Sequence, residues 1–249
     1  MNLDKYKIQM GELSSSIKEL IKQEIKYREF LGYKYANRIH KEEKFSVGIC
    51  RDSRGAVLVT CITEMTEVTP KMIDWWFGWH MPESERYQLW HPQDHISSKL
   101  KIDNSNFQTD KEKYIHVDSY VTEYIGKELN SLCISFVDPE EFGFLKLDSE
   151  KETAICAHVK DLNRNVSIGS LTHLVTKTSR GSVMQSSFWL GMNLQHTNSF
   201  INFIVNPIIN LRIVKLMVLP DQLTYDLLKH CAEEMNHLAK FLPQLYNDV

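Results

Sequence analysis

PDQLTYDLLKHCAEEMNHLAKFLPQLY, residues 220 to 246, reads as one long amphipathic helix near the end of the chain. Pro220 and Asp221 suit a first turn, where a proline forfeits no needed hydrogen bond and a carboxylate faces the positive end of the helix dipole. Leu227, Cys231, Met235, Leu238 and Leu242 share one stripe, and His230, Glu234 and His237 run along its border. His230 and Glu234 sit about one turn apart on one face, with β-carbons roughly 5–6 Å apart, so one ion could bridge both. An isolated pair of this kind is ordinarily a hydrogen bond on a solvated face. A second pair of donors facing it from elsewhere in the chain would make it half of a metal site.

The chain before this helix is rich in strands. Phe45 to Arg51 and Ala56 to Ile62 flank the polar turn Asp52-Ser53-Arg54-Gly55 and read as a hairpin. Thr69-Pro70 then opens a helix through Met72, Ile73, Trp75, Trp76 and Phe77, whose aromatic patch either packs on a sheet or walls a ligand cavity. Arg86 to His95, RYQLWHPQDH, holds a proline between two imidazoles and reads as an ordered loop from which His91 or His95 points inward. Ile115 to Ile125, Leu129 to Val137, Thr153 to Val159, Ser167 to Lys177 and Val183 to Leu190 read as further strands. Gly126, Asp138-Pro139, the turn from Asp161 to Asn165, and Gly191 punctuate them. Glu123 lies among Val121, Tyr124 and Ile125, so an inward orientation would demand a Lys, an Arg or a metal ion as partner. His173 shares the parity of Leu171 and Val175, which places it on an apolar sheet face. Asn198 to Leu216 is apolar and mixed in signal, a helical segment with Pro207 as a kink or break.

Composition removes several classes of function. With 249 residues, 43% apolar and 24% charged, the chain is an ordinary globular one able to bury a sizeable core. A net charge of −3 without a polybasic run gives no footprint for nucleic acid or for an anionic membrane. The start, MNLDKYKIQM, lacks the apolar run of a secretory signal and reads as a cytoplasmic start. The five cysteines show no CxxC spacing and are expected to be reduced, buried small hydrophobes. Phe200 to Leu219, the most apolar stretch, carries Asn202, Asn206, Asn210, Arg212 and Lys215, too many polar groups for a lipid-facing span. Apolar spacing at Leu13, Ile17, Leu20, Ile21 and Ile25 predicts an N-terminal helix within residues 10 to 30, and Gly32 to Lys44 reads as a connection. Residues 1–44 are thus expected as an N-terminal helical extension, and 45–249 as the main domain.

Strands joined by turns rather than crossover helices imply an antiparallel sheet, and a single long helix is the natural cover for its concave face. The expected class is α+β of the helix-grip kind (Bet v 1/START-like), a curved antiparallel sheet wrapped on the long C-terminal helix. Such an arrangement encloses a cavity, which is the default ligand site. His95, Glu123, His230 and Glu234 could all face it, a borderline set of two nitrogens and two oxygens that suits zinc and also iron or manganese.

WWFGWH (Trp75 to His80), RYQLWHPQDH, TEYIG (Thr122 to Gly126), LTHLV (Leu171 to Val175), SSFWLG (Ser186 to Gly191) and HCAEEMNHLAKFLPQLY (His230 to Tyr246) together resemble the 2,4-diacetylphloroglucinol hydrolase and phloretin hydrolase family. The resemblance covers roughly residues 45 to 246. It implies a zinc ion held by two His and two Glu, and hydrolysis of the carbon–carbon bond joining an acyl group to a phenolic ring. By that resemblance the ligands are His95, Glu123, His230 and Glu234, with His91 the alternative to His95. The catalytic groups are Tyr87, His173 and Glu234, and the substrate pocket is lined by Tyr87, His91, Trp76 and Phe188. Phe188 stands where the family has a second pocket tyrosine, and the missing hydroxyl bears on which ring is accepted. The expected partner is a small aromatic ketone, without nucleic acid or membrane, and association as a homodimer stays open. Two other readings remain: a helix-grip carrier of an apolar ligand, and a metal hydrolase of another carbonyl compound.

Overall fold

The computed structural model describes residues 2–45 and 47–249. Met1 and Ser46, which fall in the expected extension and the expected first strand, lie outside the described residues. The N-terminal segment carries α1 (Ser15–Ile21), β1 (Lys26–Tyr27) and α2 (Ala36–Ile39). The hairpin is β2 (Gly48–Arg51) and β3 (Val57–Thr66), followed by α3 (Pro70–His80) and α4 (Ser84–Trp90). Next come β4 (His95–Leu100), β5 (Asp118–Ile125), β6 (Glu128–Val137), β7 (Glu152–Asp161), β8 (Val166–Thr178) and β9 (Gly181–His196). Helices α5 (Ser199–Ile209), α6 (Arg212–Val218) and α7 (Asp221–Asp248) complete the chain.

Among the described residues the strands form one sheet in the order β1-β2-β3-β9-β8-β7-β6-β5-β4. Every pairing is antiparallel except β1 with β2, which is parallel. The architecture is the expected α+β helix-grip: a curved antiparallel sheet with one long C-terminal helix on its inner face. The stripe of α7 is apolar at i, i+3, i+4 and i+7, and Leu228, Cys231, Ala232, Met235, Leu238, Leu242 and Leu245 are all buried in one cluster with Val57, Val59 and Cys61 of β3. Each fully buried leucine of that stripe contributes roughly 1.5–3 kcal/mol. The first turn of α7 is tied to the hairpin by the buried guanidinium of Arg51, which donates to Leu219 O and to Asp221 Oδ1, each at 2.8 Å.

Several local expectations are corrected. The N-terminal helix is confined to Ser15–Ile21, capped by Ser14 Oγ, because Lys26 and Tyr27 instead pair with Cys50 and Arg51 along the open edge of β2. The expected connection after Gly32 contains α2, whose Ala36 and Ile39 bury against Leu58 and Trp189 on the outer face of the sheet. Leu3 and Tyr6, by contrast, belong to the inner core. The expected loop from Arg86 is helical through Trp90; Pro92 acts only after the helix has ended. Gly191 does not end its strand: at φ 68° it sits in β9 where the register with β8 shifts, which identifies a bulge. Pro207 lies inside α5, and the chain instead bends by 99° between α5 and α6. Among the described residues no single helix is long and apolar enough to cross a membrane, although the bent pair α5 and α6 passes by length and composition. All five cysteines are free and buried.

Candidate metal centre

Two neighbouring strands and the long helix bring His95, Glu123 and His230 together, with Glu234 beside them. His95, the first residue of β4, pairs directly with Glu123 of β5, and the register of β4 slips immediately afterwards, a bulge that aims the imidazole inward. His230 and Glu234 approach from α7, and all four side chains are buried. His95 Nε2 lies 3.3 Å from His230 Nε2, 3.6 Å from Glu123 Oε2 and 3.6 Å from Glu234 Oε2. His230 Nε2 lies 3.9 Å from Glu234 Oε2. Donors bound to one tetrahedral ion at about 2.0–2.2 Å are about 3.3–3.6 Å apart; His95, Glu123 and His230 form a group able to hold one cation, and Glu234, 3.6 Å from His95 and 3.9 Å from His230, borders it as the fourth candidate.

The tautomers carry the argument further. His95 Nδ1 donates to the Tyr87 carbonyl at 3.0 Å, and His230 Nδ1 donates to Asp94 Oδ2 at 3.2 Å. With both Nδ1 atoms acting as donors, each neutral ring presents an Nε2 lone pair, and the two lone pairs face one another at 3.3 Å. Such a contact is repulsive unless a proton or a cation stands between them. The outward bonds to a carbonyl and a carboxylate are the supports that orient metal-ligating histidines. Protons fill the same role in the cluster itself. Burial drives the Glu234 carboxyl up to about 8, opposed by His230 and reinforced by the Glu123 charge. Against its own burial, His230 is held up to about 9 by Asp94, Glu234 and Glu123. A cation on these donors displaces those protons.

Tyr87 links the centre to α4. Its hydroxyl donates to Glu123 Oε2, and its ring stacks on His95 with centroids 3.8 Å apart and planes 3° apart. Burial, then the Glu123 charge, raises its phenol well above the ordinary range, so the oxygen keeps its proton. An inner chamber of about 70 Å³ adjoins the donors, lined by Tyr87, Glu123, His230 and Glu234 and closed by Phe77, His80, His173 and Phe188. His173 Nδ1 is held by Ser186 Oγ at 2.8 Å, and burial pushes its pKa down to about 3, so the imidazole is neutral.

Tyr87, His173 and Phe188 thus line the chamber beside Glu123, His230 and Glu234. His91 and Trp76 do not. His91 stacks behind His230 with centroids 4.7 Å apart, its Nε2 being 3.4 Å from Asp94 Oδ2 and without a hydrogen-bond partner among the described residues. Trp76 is fully buried between Trp90 and Phe241; Phe77, next on α3, takes the wall position expected of it. Asp94, His80 and Ser186 were not singled out from sequence. Nothing local marks Asp94, because its partner His230 lies 136 residues away.

A family model described as the DAPG hydrolase PhiG domain matches residues 35–247. The phloretin hydrolase of Eubacterium ramulus is 27% identical over 213 residues, 82% of this chain and 73% of that protein. A 2,4-diacetylphloroglucinol hydrolase of Pseudomonas protegens is 29% identical over 206 residues, 72% of this chain and 61% of that protein, so this chain spans less than two thirds of its length. Of solved structures, protein Ms6760 from Mycobacterium smegmatis aligns over 80% of this chain and 98% of its own, at 11% identity and a TM-score of 0.39.

Proposed function

The chain belongs to the DAPG hydrolase PhiG domain family, and on that premise we propose that it is a metal-dependent hydrolase cleaving the carbon–carbon bond between an acyl group and a polyhydroxylated aromatic ring. The observation that carries this reading is the convergence of His95 Nε2 and His230 Nε2, 3.3 Å apart, on the buried carboxylates of Glu123 and Glu234. His95, Glu123, His230 and Glu234 would hold a zinc ion, or iron or manganese, and the chemistry such an ion would supply there is Lewis acidity toward the acyl carbonyl and activation of water at neutral pH.

The remaining work falls to the protein's own residues. The reaction adds hydroxyl to the acyl carbon and a proton to the ring carbon as the bond between them breaks, giving a carboxylic acid and the free polyphenol. The ring carbon is a tolerable leaving group only when phenolic hydroxyls let the ring take that proton as a keto tautomer. Tyr87, donating to Glu123, keeps lone pairs with which to accept from a phenolic O–H. His173 has Nδ1 engaged by Ser186, which leaves Nε2 as its atom for a second ring hydroxyl. Phe77, Phe136 and Leu171 exclude water from the ring. Tyr87, His173 and Glu234 are the chamber groups able to hold the proton that reaches the ring carbon. Phe188 offers an apolar wall without a hydroxyl, so one ring hydroxyl fewer finds a protein partner.

Turnover of an acylphloroglucinol in H₂¹⁸O tests the reading. The expected products are phloroglucinol and a carboxylic acid carrying one solvent oxygen. Binding of the ketone without any cleavage by metal-loaded protein would make the chain a carrier instead.

A further inference from the structure

The inner chamber is not the whole cavity. A second, larger chamber of about 390 Å³ shares Glu123, Ile125, Ile134, Leu171, Phe188 and Leu227 with it. The two therefore adjoin across these six side chains, with Glu123 on the shared wall beside the donors. The partners for ring hydroxyls, Tyr87 and His173, belong to the inner chamber alone. With the ring there and the acyl carbon beside Glu123, the acyl substituent points into the outer chamber.

We propose that the outer chamber is an acyl-chain subsite and that the substrate carries a long aliphatic acyl group, an inference that rests on the hydrolase reading above. An acetyl methyl displaces about one water, roughly 30 Å³, whereas this space of 390 Å³ lies within the range of about 300–1,000 Å³ that holds whole small ligands. Its walls are mostly aliphatic, with Val166 and Ile168 of β8, Leu194 of β9, Val214 of α6 and Leu223 of α7; Glu128, Asn130 and Ser170 add polar groups on the sheet side, and Phe188 is the one aromatic among the lining residues. The charged pair at its edge is self-satisfied, Arg164 Nη1 donating to Asp161 Oδ2 at 2.6 Å. An alkyl chain needs no hydrogen-bond partner along these aliphatic walls. Met217 lines the chamber and is 75% exposed, so the mouth opens beside α6 and a chain longer than the chamber can emerge there.

The test is a series of phloroglucinol ketones with acetyl, butanoyl, hexanoyl and octanoyl groups, measured for kcat/KM and, by calorimetry, for binding. Each buried methylene is expected to raise kcat/KM about fourfold, so hexanoyl exceeds acetyl by about a hundredfold or more. Ile168→Trp and Val214→Trp, which fill the chamber from opposite walls, are each expected to cut the hexanoyl-to-acetyl ratio at least about tenfold. A kcat/KM that is flat or falls with chain length while the acetyl ketone is cleaved overturns the subsite and leaves the hydrolase reading standing. If no ketone is cleaved but affinity climbs with chain length, the subsite stands and the hydrolase reading falls. Affinity independent of chain length overturns the subsite in either case.

Discussion

Asp94→Ala separates a histidine held for a cation from one that is merely buried. Asp94 accepts from His230 Nδ1 at 3.2 Å, while His230 is 4% exposed and the Asp94 side chain 25% exposed. A hydrogen bond to a charged group is worth about 1.5–3 kcal/mol. The long distance and partial exposure place this one near the lower end, about 1.5–2 kcal/mol. At about 1.4 kcal/mol per tenfold, cation affinity should fall about 10- to 30-fold, within the 10- to 100-fold usual for such supporting partners. Asp94→Asn keeps an acceptor oxygen and should lose less than about fivefold. Competition against a chromophoric chelator reads the affinity, and kcat on acetylphloroglucinol should fall in step with it at limiting metal. An Asp94→Ala protein that binds its cation within twofold of the wild type would refute the role given to the Nδ1 bond.

Further predictions concern the chamber, the core and one turn. Tyr87→Phe keeps the stack on His95 and deletes only the hydroxyl that donates to Glu123, so metal content should persist while kcat drops about 10- to 100-fold; unchanged kcat would remove Tyr87 from the chemistry. Burial pushes His40 down to about 4, and His80 and His173 each down to about 3. Their folded pKa values lie below the unfolded value of about 6.5, so on acidification from pH 6.5 to 4 these three rings favour the unfolded chain by up to about 4 kcal/mol per pH unit, offset by about 1.4 kcal/mol per unit down to about pH 4.5 by Glu234, whose folded value of about 8 keeps a proton the unfolded chain releases. Urea melts at pH 7, 6 and 5 measure this, and constant stability across them would contradict neutral burial. Gly126 turns β5 into β6 at φ 62°, where an added Cβ would collide with the Asp226 carboxylate of α7. Gly126→Ala should therefore cost about 1–2 kcal/mol, a melting point lower by roughly 2–8 °C, with cation binding intact.

The parts legible in sequence were those with a sustained period. The stripe of α7 repeats from Leu227 to Leu242, about four turns, and admits one interpretation, and the alternating runs joined by turns exclude a parallel sheet. What escaped was decided by contacts distant in sequence. His91 and His95 stand four residues apart around Pro92, and only the pairing of His95 with Glu123 puts one at the centre and the other behind His230. The helix from Ser84 to Trp90 was hidden by that same proline, which limits the residue before it rather than the turn before that. Trp76 and Phe77 are equally apolar, so orientation on α3, not composition, chose the chamber wall. The N-terminal segment had helical spacing, yet Lys26 and Tyr27 met the free edge of β2, and edge pairing outweighed local propensity.

Metal content after dialysis, measured alongside turnover of an acylphloroglucinol, tests the four-donor centre most directly when the wild type is compared with Glu234→Gln and His230→Ala. The expected result is about one divalent cation per wild-type chain, as for a single four-donor site, with ion and turnover lost together in both variants and on chelation, and restored to the chelated wild type by added zinc. Full turnover by metal-stripped wild type, or a stoichiometric ion retained by both variants, would contradict it.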